Sequence, residues 1–178
     1  KSNAADFNEA QELADEVAKE FGSIDILVNN AGIQHVAPID EFPDAKWDAI
    51  IAINLSSAFH TSKAFAPAMK EKGWGRIINI ASVHGLVASE YKSAYVTAKH
   101  GMVGLTKVLA LDLANDGITA NAICPGYVNT PLVQKQIPDQ AKTHGISEKE
   151  VKEKVFLKKH AIKEFVEVDE LAEFALFL

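Results

Sequence analysis

The chain has 178 residues, 48% of them hydrophobic, with a formal net charge of −6. That suits one well-buried domain and is too small for two large ones. The acidic balance and the scattered Lys and Arg residues argue against nucleic acid as the main partner. No apolar run approaches the ~20 residues of a membrane helix. The single cysteine, Cys124, excludes a disulfide within the chain and fits a reducing cytoplasm.

Residues Lys1 to Asp6 hold no signal-peptide apolar core and no initiating Met. Residues 8–21 place Ala10, Leu13, Ala14, Val17 and Phe21 at helical spacing, and Gly22 ends that helix. Residues 24–28 are a short apolar strand closed by Asn29-Asn30-Ala31-Gly32. A long helix is predicted over 43–72, opened by Pro43 and kinked or broken at Pro67. A strand follows at 76–81, then a loop from Ser82 to Lys92, then a second long helix over 93–115 ended by Asn115-Asp116-Gly117. Residues 118–123 form a further strand, followed by Cys124-Pro125-Gly126. Residues 131–163 are more charged and are expected to hold helices of a lid, and 168–178 begin another helix. Strands alternating with long helices predict βαβ units and a mostly parallel sheet. Ligands of such sheets bind at the carboxyl ends of the strands. The three segments that follow the strands should therefore converge on one crevice.

Tyr95 and Lys99 stand four apart on the second long helix, one turn from each other on one face. A free tyrosine titrates near ~10, and an adjacent ammonium lowers that value, so the pair suits general acid–base work on a carbinol or ketone. By itself this spacing more often describes an exposed pair on a helix. Ser82 ends a strand thirteen residues earlier and offers a hydroxyl to the reacting oxygen. Gln34, His84, Lys92 and Gln136 are polar residues near these segments. Together they offer one permanent cation, one titratable ring and two amides, a set suited to a small carboxylate. Taken singly, each is more often a solvated loop residue. The other histidines (His35, His60, His100, His144 and His160) lack metal-ligand spacing, and no metal is expected.

Asn54, Ser82, Tyr95 and Lys99, with the Asn-Asn-Ala-Gly turn at 29–32 and the Pro-Gly turn at 125–126, closely resemble the short-chain dehydrogenase/reductase family over nearly the whole chain. The resemblance implies a single Rossmann-type, doubly wound parallel α/β domain over 1–178, lacking the first βαβ segment with its glycine-rich turn and the C-terminal strand. It implies that Asn54, Ser82, Tyr95 and Lys99 are catalytic, Asn54 helping to hold a water that passes protons toward Lys99. Asp6, Asn30, Ala31, Gly32, Tyr95, Lys99, Pro125, Gly126, Val128 and Thr130 would bind the cofactor, although Asp6 is equally a helix N-cap. The stretches 29–35, 81–86 and 125–136 resemble the 3-hydroxybutyrate dehydrogenase branch of the family. There, Gln34, Ser82, His84, Lys92, Tyr95 and Gln136 would bind substrate. The implied reaction is reversible oxidation of (R)-3-hydroxybutyrate to acetoacetate with NAD, a cofactor choice inferred only from the resemblance. The implied assembly is a homotetramer in the cytoplasm, with no nucleic-acid or membrane partner. Its long helices would pack on their copies through Ile50, Ile53, Leu55, Phe59, Val103, Leu105 and Leu109. Two alternatives stay open: a reductase of the same family acting on another 3-oxo or sugar substrate, and a catalytically silent fragment of this fold.

Overall fold

A computed structural model describes residues 2–135 and 137–178, without the side chains of residues 132, 139 and 143. The chain divides into two compact units, Lys1–Cys124 with Leu178, and Pro125–Phe177.

The first unit is built on three parallel strands in the order β1-β2-β3: β1 Ile26–Asn29, β2 Gly75–Ile80 and β3 Ile118–Ile123. The expected strands at 24–28 and 76–81 are each displaced by one or two residues, and the one at 118–123 is as expected. Parallel neighbours need crossover helices. These are α2 (Asp44–Ile51) running into α3 (Ser57–Lys72), and then α4 (Ser93–Asp112), while α1 (Phe7–Phe21) precedes β1. Asp6 caps α1, its Oδ1 accepting from the N–H groups of Asn8 at 2.8 Å and Glu9 at 3.2 Å. The core lies where helices meet the sheet: Met69 of α3 packs with Ile77, Ile118 and Ala120. Ala58 and Met102 close the same core at the carboxyl end of β2, and Ala14 of α1 packs on Ala64 and Phe65 of α3. β1 is covered unevenly: Asn29 is buried, whereas Ile26 and Val28 are half exposed.

The helix expected over 43–72 is interrupted, but not at Pro67. The break is a π-helical turn at Ala52–Ser56, and α3 runs on through Pro67. Pro67 and Lys63, whose carbonyl it leaves without a helical donor, are both exposed, a place where the lost bond is tolerated. The helix expected over 93–115 ends at Asp112 and is followed by a 3-10 turn at Ala114–Asp116.

A chain of buried polar side chains crosses the sheet. Asn29 and Asn79 are register partners on β1 and β2, and the Asn29 amide donates to Asn79 Oδ1 at 2.8 Å. Asn79 Nδ2 donates to Thr106 Oγ1 of α4 at 2.8 Å, and that hydroxyl donates to the Met102 carbonyl. On the other side the Thr61 hydroxyl of α3 lies 2.7 Å from Asn29 Oδ1.

The second unit holds α5 (Pro131–Gln134), α6 (Ile137–His144), α7 (Glu148–Val151) with a π-helical turn at Lys152–Phe156, and α8 (Val168–Phe177). Its core is Ala141, Val151, Phe156 and Leu157, with Tyr127, Val133, Ile137 and Phe165 packed around them. Among the described residues, no helix is long and apolar enough to cross a membrane.

Replacing Asn79 by Ala should destabilise the fold by about 2–4 kcal/mol, because a buried cavity is opened while Asn29 and Thr106 each lose a buried partner. Denaturant unfolding of the two proteins measures this, and a loss under ~1 kcal/mol would mean that water satisfies both partners.

Candidate active site

Four segments of the first unit carry the functional side chains. The π-helical turn after α2 holds Asn54, fully buried. Its Oδ1 accepts from the Ile33 N–H at 2.8 Å and its Nδ2 donates to the Ile33 carbonyl at 2.9 Å. The side chain thus fixes the loop after β1, in which Asn30, Ala31, Gly32 and Gln34 are exposed. Both polar ends of the Asn54 side chain bind backbone.

Ser82 follows β2 and caps a short 3-10 turn at Val83–Gly85, accepting from the His84 N–H at 3.1 Å. With its lone pair engaged there, its own proton points elsewhere. Gly85 lets this turn lie directly on α4: a Cβ at that position would sit 2.8 Å from the Lys99 carbonyl and 2.9 Å from a methyl of Val103. Gly101 does the same on the other side of α4, where a Cβ would meet Leu55 at 2.8 Å. Ser82 and His84 are therefore held close to the helix that carries Tyr95 and Lys99.

Burial governs the charges. Tyr95 is raised above the usual tyrosine value by burial, and a side-chain hydrogen bond with Ser82 pulls it partly back. Lys99 is lowered from 10.5 to about 8 by burial, with a small opposing effect from Cys124. Its ammonium donates to the Ile80 carbonyl at 2.7 Å and lies 5.7 Å from the centre of the Tyr95 ring. The expectation that Lys99 lowers the phenol is thus corrected: desolvation outweighs the ammonium, which is turned to the strand backbone.

The Lys92 ammonium lies 3.5 Å from His84 Nε2, and the His84 ring meets the Tyr95 ring edge-on at 6.3 Å. His84 is lowered by burial first and Lys92 second, with a smaller lowering from His100 and an opposing effect of the Val87 backbone. Burial also lowers Lys92. The lowering favours the neutral imidazole, whose Nε2 faces the Lys92 ammonium. The result is one net positive charge, poorly solvated, beside the Ser82 and Tyr95 hydroxyls.

In the second unit, Val128 pairs with Val166; the Asn129 N–H and the Tyr127 carbonyl, on either side of Val128, make the ladder bonds. Thr130 caps α5, and a Cβ at Gly126 would lie 2.9 Å from His160. Pro125 is partly buried, and Gln136 lies outside the described residues. Of the expected cofactor contacts, Asp6 is seen as a helix cap. The residues that sequence reasoning passed over are Asn79, Thr106 and Thr61, the buried polar chain. Their signal was an asparagine inside the apolar strand Arg76-Ile77-Ile78-Asn79-Ile80.

The short chain dehydrogenase family profile matches residues 1–141. The chain belongs to that family. It is an oxidoreductase of a family that works with nicotinamide cofactors. It is 59% identical, over 98% of its length, to a D-beta-hydroxybutyrate dehydrogenase of Rhizobium meliloti, and 58% identical, over 99%, to one of Cupriavidus necator. The match covers 69% of the length of each of these relatives. A gluconate 5-dehydrogenase from Burkholderia cenocepacia, solved in complex with NADP and tartrate, superposes with a TM-score of 0.88 at 35% identity, over 99% of this chain and 65% of its own.

The buried Lys99 gives a linkage with a definite sign. Its folded value of about 8 lies below the 10.5 of an exposed lysine, so between those pH values the unfolded chain binds more protons and stability rises with pH. Relative to Lys99→Met, the unaltered protein should gain stability from pH 8 to 10.5, by no more than about 3.5 kcal/mol. Denaturant unfolding of both proteins across that range measures it; parallel curves would show that Lys99 is not desolvated.

Proposed function

We propose that this protein oxidises (R)-3-hydroxybutyrate reversibly to acetoacetate, with NAD as cofactor. The single observation that carries this reading is the Lys92–His84 pair, a desolvated cation and an imidazole set beside Ser82 and Tyr95. A carboxylate meeting both groups would gain charge-assisted hydrogen bonds and relieve the unfavourable burial of Lys92. It would also hold the neighbouring carbinol against Ser82 and Tyr95. The identity to two D-beta-hydroxybutyrate dehydrogenases supports the same substrate.

Nicotinamide dinucleotide, when bound, supplies the acceptor for the C3 hydrogen as hydride. Residues of the first unit suit it: an exposed glycine-containing loop at 30–32, pinned by Asn54, and the Lys99 ammonium at the carboxyl end of β2. The assignments of Pro125, Gly126, Val128 and Thr130 to the cofactor, and of Gln34 and Gln136 to the substrate, rest on the resemblance alone. In oxidation, Tyr95 takes the hydroxyl proton while Ser82 donates to the same oxygen. In reduction, the neutral phenol favoured by burial is the proton donor, so oxidation should rise and acetoacetate reduction fall as pH increases. The homotetramer belongs to this reading. Phe59 is half exposed, in keeping with a partner, whereas Ile50 is fully buried within its own chain and is not available to one.

In the holoenzyme, Tyr95→Phe should cut turnover by at least ~10² while cofactor binding barely changes. Comparable turnover would remove Tyr95 from its role. Lys92→Ala should raise KM for 3-hydroxybutyrate by a factor corresponding to ~2–5 kcal/mol if the ion pair is fully desolvated, with a much smaller effect on an uncharged ester of the same acid. Equal losses on acid and ester would defeat the carboxylate reading. Measuring kcat/KM with NAD and with NADP decides the cofactor, and a preference for NADP would overturn that part of the reading.

A further inference from the structure

Three consecutive residues at the start of α4 break local rules. Tyr91 has φ +62°, the only positive φ at a non-glycine position among the described residues. The left-handed region costs an ordinary side chain about 1–2 kcal/mol. Lys92 stands at the N-cap of α4 with no side-chain cap bond, at a position where a Ser, Thr, Asp or Asn would satisfy the free N–H groups. Ser93, which could serve as a cap, stands one residue too late, and its hydroxyl is buried with no hydrogen-bond partner among the described residues. Local preferences that fail in succession mark a segment held in place for another purpose.

Two contacts indicate that purpose. The Tyr91 carbonyl accepts from the Ala37 N–H at 3.0 Å, which ties the turn to the loop carrying Gln34. The next residue, Lys92, reaches back across the turn to His84 at 3.5 Å. An ordinary extended backbone at residue 91 would rotate its carbonyl away from Ala37 and swing the Lys92 Cα–Cβ bond off His84. We propose that Tyr91 is a positioning residue, whose left-handed backbone aims Lys92 at His84 and locks that aim to the loop of residues 33–38. The tyrosine ring is exposed, so the backbone conformation, not the ring, does this. The consequence for substrate binding rests on the carboxylate reading given above; the positioning itself does not.

The test is a set of three substitutions in the holoenzyme. Tyr91→Gly permits φ +62° without strain, Tyr91→Ala carries about the same cost as tyrosine and removes the ring, and Tyr91→Val, being β-branched, resists that conformation. KM for 3-hydroxybutyrate should stay within ~3-fold for Tyr91→Gly and Tyr91→Ala and rise at least ~10-fold for Tyr91→Val, with kcat within ~3-fold throughout. A second readout needs no substrate: the 15N shifts of the His84 ring, followed against pH. His84 faces Lys92, His100 and the Tyr95 ring, so withdrawal of the Lys92 charge should raise its titration midpoint in Tyr91→Val and leave it unchanged in Tyr91→Gly. If Tyr91→Val does not fold, Tyr91→Thr, also β-branched, makes the same contrast with Tyr91→Gly. A His84 response in the β-branched variant with no KM response would support the positioning and overturn the carboxylate reading. Identical His84 titration in all the folded variants would overturn the proposal.

Discussion

Everything at the site depends on the level at which three strands end, and that level is held by amides as well as by apolar packing. Asn29 and Asn79 face each other in the β1–β2 register, and their hydrogen bond continues to Thr106 on α4. A parallel strand that slips by one residue turns every side chain to the opposite face. Here a slip would also bury two asparagine side chains without partners, at a cost of about 1–3 kcal/mol for each unpaired group. Apolar contacts alone tolerate small shifts far better. The polar chain thus fixes where Asn30, Ile80 and Ser82 emerge, and it ties α4 to the same reference.

On that fixed platform the site is assembled by close approach rather than by long side chains. Gly85 of the 3-10 turn and Gly101 of α4 stand where that turn and Leu55 touch the helix, and neither leaves room for a Cβ. The Ser82 turn is seated on the helix that carries Tyr95 and Lys99, so their mutual placement varies little with side-chain rotamer. The exclusion of water that follows from this packing sets the electrostatics. Tyr95 is pushed up, while Lys92, His84 and Lys99 are pushed down, all four chiefly by burial. A region in which each group resists its charged form is poorly solvated, and an anion entering it is bound by groups with little water to give up.

The chemistry-bearing motifs were legible in the sequence because they are local: Tyr95 and Lys99 on one helix face, Ser82 at a strand end, and the turn at 29–32. The parallel sheet was legible from the alternation of strand and helix. The helix interruption was misplaced because proline is a visible breaker, whereas the π-helical turn at Ala52–Ser56 carries a tertiary contact, Asn54 to Ile33 twenty-one residues earlier, that no local pattern displays. The direction of the Tyr95 shift was misjudged for a related reason. Spacing puts a lysine near the phenol, but only the fold shows that its proton goes to the Ile80 carbonyl. The Asn29–Asn79 pairing needs strand register, which no single segment encodes.

The Ile80 carbonyl gives Lys99 a place to rest, and that contact bears on catalysis as well as stability. An ammonium buried without a partner would lose its proton outright, and a lysine lowered to about 8 is close to doing so. The backbone oxygen is neutral, so it satisfies one donor without adding a charge that would lock the side chain in place. That contact uses one of the three ammonium hydrogens. An acidic partner in the place of Ile80 O would have held Lys99 fully protonated but would have cancelled the positive field that a developing phenolate at Tyr95 requires. The strand carbonyl satisfies one donor of an ammonium that lies 5.7 Å from the centre of the Tyr95 ring, one turn away on α4.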